Sequence, residues 1–346
     1  MLAITGALAL TVGAAACGDD GGSSSSGGGE VTLRLGYFPN VTHAPALVGV
    51  EEGLFDDSLP DNVNVEVFTF DSGTEVTEAL FSDALDISYI GPSPAITAYA
   101  QSEGEAVRLI SGAASGGASL VTSPDITSPD QLGGTTLATP SLGNTQDVAL
   151  RAYLADHGFE TTTEGGGDVE IVPQENSTTL ETFQAGDIDG AWVPEPWATR
   201  LVEEGGGEVL VDEASLWPDG QFVTTHIIVR TAYLEDNPDV VKAFLEGHAA
   251  AIDFVNDNAE KAQADTINQI EQISGSEVSE DITARAWEQL EFTFDPIASS
   301  LQQDAEDAEE LGLLDPVDLT DIYDLTLINE ILADRGEPEV QGIAVS

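Results

Sequence analysis

A chain of 346 residues has the length for two lobes, each with its own core. Its 63 Asp and Glu against nine Lys and Arg leave a formal charge of −54. That excludes nucleic acid as a partner, because phosphate neutralisation needs clustered basic side chains, and removes any attraction to an anionic membrane surface.

Such a charge reads as a heavily solvated surface suited to concentrated salt, where the screening length falls to about 3 Å and self-repulsion is largely removed. Stability is therefore expected to rise with salt. Lys242 and Lys261 are the only lysines.

In chain order, residues 1–17 come first. Leu2 to Ala16 form an apolar run too short to span a bilayer, followed by Cys17 and the polar stretch GDDGGSSSSGGGE. This order reads as an export signal. Cys17 behind Ala14, Ala15 and Ala16 resembles the lipobox of bacterial lipoproteins, in which the cysteine is diacylated and becomes the mature N-terminus. Ala14 stands where that motif usually has Leu, and no Lys or Arg precedes the run. The resemblance implies a protein lipid-anchored to the outer face of the cell membrane. With a single cysteine in the chain, no internal disulfide is available. Residues 18–29 read as a Gly/Ser tether reaching roughly 20 Å by the random-coil rule.

From Val31 onward short β-rich runs alternate with helical ones: VTLRLGY, a helix from Ala44 to Leu54, VNVEVFTF, a helix from Glu75 to Ser82, ALDISYIG, and a helix from Ser93 to Glu103. After RLISGAAS and GASLVTS a second series follows: TTLATP, a helix from Thr145 to His157, DVEIVP, a helix from Thr178 to Ala185, IDGAWVP, and a helix from Trp197 to Glu204. FVTTHIIVR reads as a returning strand, and everything after Thr231 as helical. The pattern predicts an α/β fold of two lobes with mostly parallel sheets. Residues 30–118 and 223–346 would form one lobe and 119–222 the other, with crossings near Ser119 and Phe222 and a ligand cleft between them.

In open α/β sheets ligands bind beyond the carboxyl ends of the strands, where loops feed helix N-termini. Here those loops are PNVTHAP, DSGT, GPSP, GAASGG, PSLGNTQ, ENST and WVPEPW. Most are small, hydroxyl-bearing or amide-bearing, and such residues serve equally as ordinary helix caps or as an anion site built on backbone N–H groups and the helix dipole. The helix start near Thr42 carries no acidic residue, which leaves its N–H groups open to an anion. His43 reads as a donor to a ligand or as a satisfied histidine at a helix start, while His226 and Tyr89, on apolar strands, read as packing. Trp192 and Trp197 suit an apolar wall or the core. Glu195 suits a helix cap or the counter-charge of an amine, and Arg151, Arg200 and Arg230 suit surface ion pairs.

Long runs, among them LGYFPNVTHAPALVGVEEGLF, YIGPSPAITAYAQS, PSLGNTQDVALRAYL, GDIDGAWVPEPWATRLV and PDVVKAFLEGH, resemble the aliphatic-sulfonate, taurine and nitrate group of substrate-binding proteins of ATP-driven importers. The likeness extends from Val31 to the C-terminus, and LGNTQDVALR leans towards the alkanesulfonate branch. It implies the two-lobe type II periplasmic-binding fold, no enzymatic activity, no cofactor or metal, a monomer, a small-molecule oxyanion ligand and an ABC permease as partner. Carried over, it favours Asn40, Thr42 and His43 in the first loop, Ser93 in GPSP, and Ser115 and Gly116 at the lobe crossing. It also favours Asn144, Thr145 and Gln146 in the second lobe, and Trp192 and Glu195 in WVPEPW. One alternative is a receptor for a thiamine-type pyrimidine or an amine, with Glu195 as counter-charge. Another is an enzyme resembling thiamine-pyrimidine synthases, against which stand a cysteine spent in the signal and lysines confined to the helical C-terminal part.

Overall fold

Leu33, Leu35 and Tyr37 alternate with Thr32 and Arg34, and this period of two lays down the first strand of the computed structural model, which describes residues 30–343. The signal, Cys17 and the tether lie outside the described residues.

In chain order the strands are β1 (Val31–Tyr37), β2 (Val63–Thr69), β3 (Ile87–Ile90), β4 (Val107–Gly116), β5 (Ala118–Thr122), β6 (Thr136–Thr139), β7 (Glu170–Pro173), β8 (Gly190–Pro194), β9 (Glu208–Asp212), β10 (Val223–Arg230) and β11 (Leu290–Phe292). They build two sheets. The first has the order β11-β4-β10-β3-β1-β2 and the second β7-β6-β8-β5-β9. β1 runs parallel to β2 and β3, β10 antiparallel to β3 and β4, and in the second sheet β6 runs parallel to β7 and β8. β3, central in its sheet, is buried at every position, as a strand covered on both faces must be. β2, at the edge, keeps Val67 and Phe68 partly in solvent.

The chain passes from the first sheet to the second at Gly116 and Gly117, whose φ values of 81° and 73° lie in the left-handed region. A Cβ on Gly116 would stand 2.5 Å from the Gln289 carbonyl oxygen, so both backbone and space call for glycine. The return is at Phe222, ahead of β10. The longest helix, Pro238–Asp257, turns Val241, Phe244, Leu245, His248, Ile252 and Val255 inward at helical spacing and closes the core over β1 and β3.

Three local expectations are corrected. The helix from Ala44 is interrupted after Glu51, because Gly53 at φ 69° starts a separate turn of helix. β9 arises within the second sheet as a short edge strand with little burial, a pattern too weak to mark it. β11 interrupts the region read as wholly helical, and it exists because Leu290 to Phe292 pair with the end of β4.

Candidate functional site

The carboxyl ends of β1 and β6 face each other across the gap between the sheets, and the loops that leave them form the walls of a small cavity. After β1 the chain makes a tight turn at Val41–His43 and enters the helix Ala44–Glu51, with no acidic residue in either first turn. His43 accepts a hydrogen bond from the Phe38 backbone N–H on Nδ1, at 3.4 Å, and its ring lies 4.5 Å from the Phe38 ring. Burial pushes its pKa down to about 3, so the imidazole is neutral. With Nδ1 accepting, the ring proton sits on Nε2, and His43 acts as a donor.

From the second sheet, Asn144 caps the twelve-residue helix Thr145–Asp156. Its Oδ1 accepts from the Asp147 N–H at 3.0 Å and its Nδ2 donates to Gln146 Oε1 at 3.0 Å. Thr42 and Thr145, 2% and 6% exposed, have side-chain hydroxyls without a hydrogen-bond partner among the described residues. The cavity these groups enclose is about 40 Å³. Asn40, Thr42, His43, Asn144, Thr145 and Gln146 all line it, together with Phe38, Asp71, Asn176 and Thr224. No Lys or Arg does. Trp197 of the second lobe donates from Nε1 to Asn40 Oδ1 at 2.9 Å, tying the two walls together.

A vestibule of about 340 Å³ adjoins the cavity, sharing Phe38, Asn40, Asp71 and Asn176 with it. Its wall is part apolar, with Phe70, Trp197, Ile273 and Val278, and part charged, with Asp71, Glu175 and Arg200. Arg200 stacks on Trp197 at 4.8 Å and pairs with Glu204.

Five of the residues favoured from sequence lie elsewhere. Ser93 turns its hydroxyl away from the cavity to donate to Asp304 Oδ2 at 2.6 Å. Ser115 accepts weakly from the Phe222 N–H, and Gly116 donates to the Phe222 carbonyl and accepts from the Thr224 hydroxyl, so both hold the lobe crossing together. Trp192 is a core residue: its Nε1 donates to Glu213 at 2.7 Å and its ring meets Tyr153 edge to face. Glu195 caps the helix at Trp197, accepting from the Thr199 N–H and hydroxyl at 3.1 and 3.0 Å, and burial pushes its pKa up to about 7.

Arg151, expected at the surface, is buried against Asp147 at 2.8 Å. Arg230 pairs with Asp83 and Asp86 at the rim of the first sheet. His226 and Tyr89 are buried in the first lobe, His226 donating from Nε2 to the Pro296 carbonyl and Tyr89 to His248 Nδ1. Sequence reasoning marked the loops DSGT and ENST but singled out neither Asp71 nor Asn176. The strand residue Thr224 carried no signal at all. Among the described residues no group of three or more His, Cys, Asp or Glu is placed to hold a metal ion, and no helix is long and apolar enough to cross a membrane.

The Ser93–Asp304 pair makes a pH-dependent contribution of definite sign. Burial pushes Asp304 up to about 8, helped by Asp307 and Glu213 and opposed by the Ser93 hydrogen bond. An unfolded Asp titrates near 3.9, so between roughly pH 4 and 8 the unfolded chain releases a proton that the folded chain keeps. Stability from this group is therefore full below about pH 4 and is lost as pH rises towards 8. Asp304→Asn should gain in melting temperature relative to wild type as pH is raised from 5 to 8.5. A difference that does not change over that range would mean Asp304 is ionised throughout.

A model of the NMT1-like family matches residues 26–269. The taurine-binding periplasmic protein of Escherichia coli is 30% identical over 236 residues, covering 67% of this chain and 70% of that protein. A putative aliphatic sulfonates-binding protein of Bacillus subtilis is 24% identical over 300 residues, covering 84% and 86%. The crystal structure of the periplasmic nitrate-binding protein of Synechocystis PCC 6803 superposes with a TM-score of 0.74 at 17% identity, covering 88% of this chain and 89% of that one. The two-lobe periplasmic-binding fold is shared.

Proposed function

The chain belongs to the NMT1-like family, and from that premise we propose that it is an extracytoplasmic solute-binding protein that captures a small organic sulfonate or related oxyanion and delivers it to the permease of an ATP-driven importer. The observation that carries this reading is the 40 Å³ cavity between the sheets, whose polar lining is hydroxyl, amide and neutral imidazole groups with one carboxylate, Asp71, and no basic side chain. That volume holds about three water-sized groups, which suits the oxygens of a sulfonate or nitrate head. Uncharged donors and the N-terminus of the Thr145–Asp156 helix are a sufficient anion site. The relatives named for taurine, aliphatic sulfonates and nitrate share such a head group.

In this reading residues 30–118 with 223–346 form one lobe and 119–222 the other, and they close about the crossings because only the closed form makes both sets of contacts. Cys17, lipidated, tethers a monomer to the outer face of the membrane through the Gly/Ser segment. The protein binds and releases without turnover, and detection of a chemically altered ligand would overturn that. An amine counter-charge at Glu195 is abandoned, since that carboxylate is spent on Thr199 away from the cavity.

The test is a thermal-shift panel of alkanesulfonates, taurine, nitrate, sulfate and pyrimidines in molar salt. The sulfonates are expected to raise the melting temperature and the pyrimidines to leave it unchanged. Thr145→Ala removes a hydroxyl that makes no bond within the protein, so the unliganded melting point should stay put. A lost hydrogen bond to a charged group is worth about 1.5–3 kcal/mol, so affinity should fall roughly 10- to 100-fold. Unchanged affinity would place the anion elsewhere.

A further inference from the structure

The helix Ala298–Glu310 packs against Pro92–Gln101 of its own lobe and against Thr145–Asp156 of the other. Beside it lies another cavity, of about 470 Å³, a volume ordinary for a small-molecule site. It is separate from the inner cavity, with which it shares only Pro94. Ile96, Leu313 and Leu314 give it an apolar wall from the first lobe, and Leu142 and Val148 continue that wall from the second. Leu142 is 47% exposed, a large aliphatic side chain left uncovered at the rim.

The polar end of this cavity is built on one carboxyl. Asp304 is only 7% exposed, and its single hydrogen bond is the one that Oδ2 shares with Ser93. Its Oδ1 has no partner among the described residues and is not sealed from solvent, so it opens on the cavity that the residue lines. The hydroxyls of Ser93 and Thr77, buried in the same wall, are already spent, the first on Asp304 and the second on the Gly73 and Pro94 carbonyls. No Lys, Arg or His lines the cavity, and the exposed Glu78 adds a second negative charge. Burial pushes Asp304 up to about 8; the Ser93 bond opposes this, and the charges of Asp307 and Glu213 add to it. That is the state of a carboxyl without a counter-charge.

An unpaired carboxyl at the base of an apolar cavity is costly alone, and a cation that carries its own apolar body offsets both the charge and the exposed wall. An anion is turned away by the same carboxyl, and a small hydrated cation leaves the aliphatic wall uncovered. We infer that this cavity is a second binding site, for an amine with an apolar body. Its ammonium group lies on Asp304 Oδ1 and its aliphatic part along Ile96, Leu142, Val148 and Leu313. The site is independent of the oxyanion reading, and because its walls come from both lobes, an amine held there touches both.

Titration calorimetry of the full chain in molar salt, with no sulfonate present, tests this with hexylammonium, hexanol and methylammonium. Hexanol keeps the apolar body without the charge, and methylammonium the charge without the body. Hexylammonium is expected to bind at least about tenfold more tightly than either. Asp304→Asn should erase its preference over hexanol. Thr97→Trp, which fills the cavity from a half-buried position in its wall, should weaken hexylammonium and hexanol alike. Unliganded melting temperatures are the control for folding, and if Asp304→Asn does not fold, Thr97→Trp decides. Equal affinity for hexylammonium and either control, failure to bind hexylammonium, a preference that survives Asp304→Asn, or affinity untouched by Thr97→Trp overturns the inference. The oxyanion reading stands in each of those cases.

Discussion

Asp147→Ala is expected to destabilise the protein by about 3–5 kcal/mol, the penalty for stranding a buried charge. Asp147 is fully buried, and its carboxylate accepts from the Thr139 hydroxyl at 2.9 Å, the Gly143 N–H at 2.9 Å and Arg151 Nε at 2.8 Å. Arg151 in turn donates to the Thr162 carbonyl and keeps one terminal nitrogen, Nη2, buried without a partner. Removing the carboxylate leaves the guanidinium uncompensated in the second lobe. It also unties Gly143, at φ 71°, and with it the turn that presents Asn144, Thr145 and Gln146 to the cavity. Urea unfolding should show the loss. The double variant Asp147→Ala/Arg151→Met should recover most of it, because the stranded charge is then gone. A single-variant loss under about 1 kcal/mol would mean that the pair behaves like a solvent-exposed bridge. Asp147→Ala and Thr145→Ala thus separate two roles in one loop: the first removes what holds the cavity wall in place, the second a hydroxyl that lines the cavity and is proposed to meet the ligand.

How much of this was legible depends on how local the cause is. The strand and helix alternation follows from periodicity within each segment, so β1, the β-rich run of β3 and the inward stripe of the Pro238–Asp257 helix can be read from residues that are neighbours in sequence. The acid-free start at Thr42 is equally local, and Thr42 and His43 do line the cavity. Ser93 was misplaced because its partner, Asp304, arrives on the helix Ala298–Glu310, more than two hundred residues away. Nothing in GPSP announces it. Trp192 and Glu195 sit in a motif whose composition suits a ligand wall, yet the strand pleat turns the indole into the core and the helix start takes the carboxylate. Asp71 went unmarked for the opposite reason. In a chain with 63 acidic residues, a carboxylate in a loop looks like solvated surface until the fold places it in a cavity wall. The Asp147–Arg151 pair has ordinary i,i+4 helix spacing, and only the packing of the second lobe makes it interior.

Salt should raise both the stability of this protein and the rate at which it captures an anion. Of its nine cations, Arg34, Arg151, Arg200, Arg230, Lys242, Lys261, Arg285 and Arg335 are already ion-paired, and Arg108 donates to backbone carbonyls. Most carboxylates therefore meet other carboxylates at intermediate range. Going from 0.1 M to 1 M salt shortens the screening length from about 10 Å to about 3 Å, which suppresses that repulsion. The exposed ion pairs weaken at the same time, but at about 0–1 kcal/mol each they are the smaller effect, and the buried Asp147–Arg151 pair is shielded from the change. Unfolding midpoints should climb from 0.1 M to 2 M NaCl well beyond what sucrose of equal osmolality gives, because sucrose excludes without screening. A flat or falling midpoint in NaCl would show that the acidic surface is not self-repelling in the folded state. The association rate for a sulfonate should rise over the same range, since a field of this sign turns anions away at low ionic strength. That is opposite to the salt dependence of a basic, electrostatically attracting site, and it follows from the proposed site, a cavity whose polar lining includes hydroxyls, amides and a neutral histidine and no cation.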